Sequence, residues 1–177
     1  SCYNIFCGNV VFNIGWAGFR ILEGSCGNQV LGNDVSNCLD GIELGIADNN
    51  VVMGNALTHI GRYAIIISRA YNNAIIGNEI LCNGYGFFLE EPCTNNGIYH
   101  NNIINNTQQV LLIFSPTNNG WDNGYPSGGN YWSDYAGKDE YRGPYQNITG
   151  PDGIGDTPYI INEQNKDNYP LVLPYIP

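Results

Sequence analysis

The sequence predicts an all-β chain wound as a parallel β-helix, and three observations carry that reading. An Asn-centred template recurs about every 23 residues. The apolar runs beside it are short, rich in β-branched side chains and bounded by Asn and Gly, which favours strand over helix. No stretch sustains an i, i+3, i+4 apolar pattern between helix caps. Self-similarity at this period marks a solenoid, in which each unit buries its apolar face against its neighbours.

The template is plainest in Asn72–Thr94, NNAIIGNEILCNGYGFFLEEPCT, and the segment after it, NNGIYHNNIINNTQQVLLIFSPT. Its first Asn falls at Asn4, Asn28, Asn50, Asn73, Asn96 and Asn119. Its second falls at Asn9, Asn33, Asn55, Asn78 and Asn101, preceded by Gly8, Gly32, Gly54 and Gly77 and, in the last unit, by His100. The first strand of each turn then supplies a core column of Phe6, Val30, Val52, Ile75 and Ile98, and the second one of Val11, Val35, Leu57, Ile80 and Ile103. The third strand, seen in GFRIL, GIELG, AIIIS, GFFLE and QVLLI, supplies Phe19, Ile42, Ile65, Phe87, Val110 and Ile21, Leu44, Ile67, Leu89, Leu112. Three stacked strands per turn, spaced about 4.8 Å, give five turns a length of roughly 24 Å. The asparagines are expected to occupy the tight left-handed corners, with amides hydrogen-bonding up a ladder and Gly relaxing the bend.

Residues 1–116 are therefore read as the rod and 117–177 as a cap. The cap segment holds ten of the 22 aromatics and seven of the nine prolines, too aromatic for disorder and too Pro- and Gly-rich for a regular sheet. The chain begins inside a repeat, so the first turn is expected to be a processed terminus, to follow further sequence, or to be covered by another chain.

Sixteen acidic residues against six basic ones give a net charge of −10. Arg20, Arg62, Arg69, Lys138, Arg142 and Lys166 are scattered, which argues against nucleic acid as a partner. No apolar run approaches 18 residues, so no membrane span is expected. Six Cys and the sequons at Asn105 and Asn147 lean toward an extracellular, cell-surface setting. Cys2 and Cys26 share one position in neighbouring turns, within reach of a disulfide. Cys38 and Cys82 fall at nearly equivalent corners two turns apart, too far to pair, and Cys7 and Cys93 have no obvious mate. These four are read either as buried small hydrophobes or as bridges between copies of the chain.

Candidate chemistry is sparse. Asp40, Glu43, His59, Arg62, Glu90 and Glu91 are the titratable groups of the rod's bends and outer faces. Polysaccharide-cleaving chemistry needs carboxylates gathered on one face, but the outward column of the third strand reads Arg20, Glu43, Ile66, Phe88, Leu111 and becomes apolar. No catalytic residue is assigned. Copper sites use His, Met and Cys, and two His and one Met are far apart in this register. In the cap, Asp152-Gly-Ile-Gly-Asp156 has the look of a calcium loop that Asp134, Asp139 or Glu140 would complete; the other reading is a Gly turn whose Asp side chains cap backbone N–H groups. Calcium is thus the one cofactor considered.

GGNYWSDYAGKDE and DGIGDTPYIINEQNKDNYPLVLP, together with the Asn/Ile repeats, resemble right-handed parallel β-helix repeat proteins of archaeal cell surfaces, NosD-like or described as carbohydrate-binding and sugar-hydrolase-type. The resemblance implies a right-handed coil and an exported protein built of repeat modules, and says little about chemistry. The outward column Cys7, Leu31, Met53, Ile76, Tyr99 and that of the third strand are both apolar in part and need cover. With unmated cysteines and open rod ends, this favours a non-enzymatic structural protein that assembles with copies of itself into a sheath, layer or filament. The alternative is a carbohydrate-binding or polysaccharide-processing module with surface glycans as partners. A copper-accessory role stands behind both.

Overall fold

The computed structural model describes residues 1–114 and 116–176. Five turns follow one another, each contributing two three-residue strands and one of six. They are β1 (Ile5–Cys7), β2 (Val10–Phe12) and β3 (Ala17–Leu22), then β4 (Gln29–Leu31), β5 (Asp34–Ser36) and β6 (Asp40–Gly45). Next come β7 (Val51–Met53), β8 (Ala56–Thr58) and β9 (Tyr63–Ser68), then β10 (Ala74–Ile76), β11 (Glu79–Leu81) and β12 (Tyr85–Glu90). The fifth turn is β13 (Gly97–Tyr99), β14 (Asn102–Ile104) and β15 (Gln108–Ile113). Every strand pairs in parallel with its counterpart one turn on, forming three sheets that wrap one core. No helix among the described residues is long and apolar enough to cross a membrane.

The register is the one the sequence predicts. Phe6 pairs with Val30, Val30 with Val52, Val52 with Ile75 and Ile75 with Ile98. From the second turn onward these side chains are sealed in, as are Val35, Leu57, Ile80 and Ile103. The first turn carries the same columns with more exposure, Phe6 at 36% against 1% for Val30. Gly41 is required where it stands, because a Cβ there would strike the carbonyl oxygen of Ala64 one turn above.

The corners differ from expectation in which residue bends the chain. The ladder asparagines do not take the left-handed conformation; the residue before each does. Asn49, Asn72, Asn95 and Asn118 (φ 56–57°) precede the first ladder, and Gly32, Gly54, Gly77 and His100 precede the second. This leaves the ladder asparagines free to turn inward, where they are buried. Each Oδ1 accepts both the side-chain N–H and the backbone N–H of the Asn one turn below, as Asn78 does from Asn55 at 2.9 and 3.0 Å. Each Nδ2 also reaches a carbonyl further down, Asn78 to Val52 at 3.0 Å. A buried amide with every polar group paired stabilises the stack, whereas one left unpaired would weaken it. A third, shorter ladder links Asn83 to Asn106 at 3.0 Å.

The rod also runs past the expected boundary at 116. Gly120 bridges to Gly97, and β16 (Tyr131–Trp132) adds a sixth strand to the second sheet beside β14. Asn119 and Asn130 extend the two long ladders by one step each. Trp121 and Trp132, both 1% exposed, close this end of the core. The cap is fastened over them by two short antiparallel pairs, β17 (Tyr141–Arg142) with β18 (Ile148–Thr149) and β19 (Tyr159–Ile160) with β20 (Lys166–Asp167). Tyr159 stacks on Trp132 with ring centres 4.1 Å apart, and Trp121 donates its indole N–H to Asn165 at 3.2 Å.

Candidate functional site

The outer face of the third sheet gathers the charged and aromatic side chains of the rod. The longer third strand gives this face the greatest width, and the repeat stacks like positions on one another. Tyr63 lies over Tyr85 with ring centres 5.3 Å apart and against Phe88 at 4.6 Å. All three are half-buried, so part of each ring faces solvent. Arg62 packs its guanidinium over the Tyr63 ring at 5.0 Å and donates through Nε to Asp40 at 2.9 Å. Asp40 also accepts the Tyr63 backbone N–H at 3.4 Å. The carboxylate raises the Arg62 pKa above its ordinary value, holding the guanidinium charged.

Toward the other end of the strands lies a groove of about 320 Å³. Glu43 on its floor accepts from Arg20 Nε at 2.6 Å, and Glu90 accepts the Ser68 hydroxyl at 2.6 Å. Glu23 and Arg69 complete its charged rim. The sequence placed Arg20 and Glu43 in one column but missed the Arg62–Asp40 pair. The two residues lie 22 apart, so the turn-by-turn register was the signal that could have found them.

The cysteines are divided. Cys38 and Cys93 are buried, and burial pushes the Cys93 thiol up to about 11. In this fold neither thiol is presented to another copy: Cys38 packs in the core, and Cys93 fills a corner that Ala47 and Ala70 fill in earlier turns. Cys82 is an exposed left-handed corner residue (φ 56°), one position out of step with Cys38. Cys7 is exposed on the first strand. Cys2 and Cys26 are adjacent thiols, with the Cys26 backbone N–H 3.2 Å from Cys2 Sγ. Mutual hydrogen bonding lowers the Cys2 pKa and raises that of Cys26.

The apolar stripe on the third sheet needs no second molecule over its centre, since Ile66 is only 7% exposed in its own sheet. The tail does lie by the first sheet's stripe, where Tyr175 stacks on His100 at 4.2 Å and its backbone is gripped by Asn102 at 2.7 and 3.0 Å. These placements supply part of the cover that the two stripes were expected to take from a second molecule, while Met53 and the first turn stay exposed.

The acids of the cap accept hydrogen bonds, mostly from backbone N–H groups. Asp139 accepts the N–H groups of Asp152 and Gly153 at 3.0 and 2.8 Å, and Asp156 those of Glu140 and Tyr141 at 2.9 and 3.0 Å. Asp152 accepts from Gly143 at 3.1 Å, and Asp134 from the Tyr159 hydroxyl at 3.1 Å. Among the described residues no three His, Cys, Asp or Glu side chains gather to hold a metal ion. The sequon residues Asn105 and Asn147 are both exposed.

With this geometry in place, the chain was compared with known proteins. A family model described as periplasmic copper-binding protein (NosD) matches residues 1–137. The chain belongs to the NosD family. No curated protein sequence matches it. Among solved structures, the NosD-family chain is similar to the periplasmic alginate epimerase AlgG at a TM-score of 0.57 and 20% identity, covering 61% of this chain and 27% of that one. A double mutant of AlgG gives a TM-score of 0.61 at 20% identity, over 67% of this chain and 32% of that one. A single mutant gives 0.55 at 17% identity, over 76% and 38%. The chain thus spans about a third of the length of these epimerase chains, and at such identity the likeness is one of fold.

The family's description invites a copper centre, and the donors of this NosD-family chain do not fit one. The His100 ring is stacked on Tyr175 and hydrogen-bonded to the Ser127 carbonyl at 2.9 Å. His59 stands next to Cys82 at one stacked corner, which brings together two donors and no third.

Proposed function

We propose that this chain is a non-catalytic, glycan-binding β-helix module that works outside the cytoplasm and takes uncharged polysaccharide along the outer face of its third sheet. The observation that carries this reading is the Tyr63–Tyr85–Phe88 cluster, set between the Arg62–Asp40 pair and the Glu43–Glu90 groove. Part-exposed rings offer flat apolar surfaces on which a sugar ring can lie. Fixed carboxylates and guanidinium groups on either side offer acceptors and donors for its hydroxyls. The family's periplasmic description and the periplasmic polysaccharide enzyme among the structural relatives support the compartment and the class of ligand.

Charge selects against acidic glycans. The groove carries Glu23, Glu43 and Glu90 against Arg20 and Arg69, and the chain as a whole is at −10. A polyuronate such as alginate would meet repulsion there. Turnover is not part of the reading, because Asp40 and Glu43 are each bound to an arginine and Glu90 to a hydroxyl, so none of these three is poised as a free acid or base.

A glycan array followed by calorimetry tests this. Neutral polysaccharides should bind, alginate should not, and Tyr85→Ala should weaken binding about tenfold by removing one stacking surface. Binding that prefers alginate, or that survives loss of both Tyr85 and Phe88, would overturn it, as would release of shortened or epimerised product.

A further inference from the structure

The third sheet stops one strand short of the second. β16 adds a sixth strand beside β14, and the Gly97–Gly120 bridge starts a sixth step on the first sheet, whereas β15 ends the third with its outer edge open. Where the absent strand would run there is a groove of about 560 Å³. One wall is β15 and the turn before it, with Asn106, Gln109 and Val110; the other is the cap, with Asp134, Tyr159 and Ile160. That volume lies in the range that holds a specific ligand.

Two features mark the groove as an unfinished step of the rod. The third ladder ends here, and Gln109 stands in for the next asparagine by accepting from Asn106 Nδ2 at 3.0 Å. Gln109 itself is 8% exposed, so this substitute step is built into the core side of the groove. The edge is also lightly guarded. Natural edges are blunted with Lys, Pro or bulges; β15 reads QQVLLI with neither Lys nor Pro, and only the Gln108 side-chain amide, donating to the Val110 carbonyl at 2.9 Å, stands on it and would have to swing aside.

We propose that this groove binds an extended polypeptide segment from a partner protein, which adds to β15 as a further parallel strand. Backbone hydrogen bonds to the open edge supply the affinity, and alternate side chains supply the choice. One face of the segment is apolar and lies against Val110 and Ile160, the latter 61% exposed. The other face carries basic groups, since the groove's only charged side chain is Asp134 and the chain is at −10. Six extended residues span about 20 Å, the length of β15; the first half would lie in the groove beside Gln108–Val110 and the rest along the open edge beyond it. This inference does not depend on the glycan reading, which concerns a different surface.

The test is a titration of the isotope-labelled protein, followed by amide NMR, with three capped hexapeptides. The first alternates Val and Lys, the second Val and Glu, and the third is the Val/Lys peptide with every other backbone nitrogen methylated. The Val/Lys peptide should shift the amides of residues 108–113 and 159–161. The Val/Glu peptide should bind about fivefold more weakly, a gap that Asp134→Asn closes. The methylated peptide, unable to complete the ladder, should not bind. Equal binding of the methylated peptide would overturn the proposal, and so would shifts confined to other residues. Cellohexaose moving the same amides while the Val/Lys peptide leaves them unmoved would replace the peptide with a sugar.

Discussion

Asp167 Oδ2 receives the backbone N–H of Asn130 at 2.7 Å, so the long asparagine ladder ends on a carboxylate supplied by the cap. The same oxygen accepts the Trp132 indole N–H at 2.9 Å, and Oδ1 accepts from Tyr169 at 3.1 Å. Gly129 permits the approach, because a Cβ there would collide with this carboxylate. Burial pushes the Asp167 carboxyl up to about 7 from its usual 3.8, against the three N–H donors that pull it down. The folded state therefore holds this proton more tightly than the unfolded chain does. Its contribution to stability is fully present below about pH 4 and is lost as pH rises through 7. Urea melts at pH 5 and pH 7.5 should show the wild-type chain less stable at the higher pH by roughly 1–3 kcal/mol. Asp167→Asn should shrink that difference, and an unchanged difference would assign it to other groups.

The ladders and the corners divide the work at each bend, and substitution separates the two. Asn78→Ala removes the acceptor for two N–H groups of Asn55 and the donor to Val52 and Asn101, all within the core. Its cost should be about 3–5 kcal/mol. Gly77→Ala, one residue earlier, meets open space apart from a distant Tyr175 ring atom, so only its left-handed backbone (φ 63°) resists. That change should cost about 1–2 kcal/mol. Chemical denaturation of both variants checks the order, and a Gly77→Ala cost equal to that of Asn78→Ala would contradict this division.

Most of the fold was legible because a solenoid writes its register into the spacing. Val30, Val52 and Ile75 sit 22 and 23 residues apart, and each lies on the next. What escaped was whatever broke the period. Asn130 follows Asn101 by 29 residues, so the final ladder step lay off the template although its chemistry was the same. Asn83 and Asn106 keep the period, but two members make a short column, and Ile60 precedes them at the same corner. From spacing alone Gly32 and Gly54 only relax the bends at Asn33 and Asn55. The backbone shows that these glycines are the corners, a distinction that rests on φ and not on composition. The candidate face was half visible: Arg20, Glu43 and Phe88 fell in one outward column, whereas Tyr63, Tyr85 and the Arg62–Asp40 pair lie at the start of the third strand, where the core columns had not been extended.

Thiol chemistry should sort the six cysteines by position. In the native state an alkylating reagent should modify Cys2, Cys7 and Cys82 readily, while Cys38 and Cys93 resist until the chain unfolds. Cys93 should be slow even at pH 9, because its thiol remains protonated up to about 11. Under mild oxidation Cys2 and Cys26 should join, since Cys2 is shifted toward the thiolate and its partner lies in the adjacent turn. Peptide mapping by mass spectrometry reads out both results. Early labelling of Cys93, or a disulfide joining Cys38 to another chain, would conflict with the buried corner described here.

Two arginines of the candidate face should respond differently to truncation, because their partners differ in burial. The Asp40 side chain is 3% exposed, and Arg62 is its only cationic partner among the described residues. Arg62→Ala leaves that carboxylate inside the fold with one weak backbone donor, a loss of about 2–3 kcal/mol. The Arg20–Glu43 pair lies in the open groove with Arg20 40% exposed, where water and salt screen the attraction. Arg20→Ala should leave the melting temperature nearly unchanged. Both should weaken glycan binding if the ligand lies along the whole face, whereas only Arg62→Ala should do so if it is confined to the aromatic end. Thermal melts and calorimetry on the two variants separate stability from recognition. A destabilisation by Arg20→Ala as large as that by Arg62→Ala would show that burial of Asp40 is not what sets the difference.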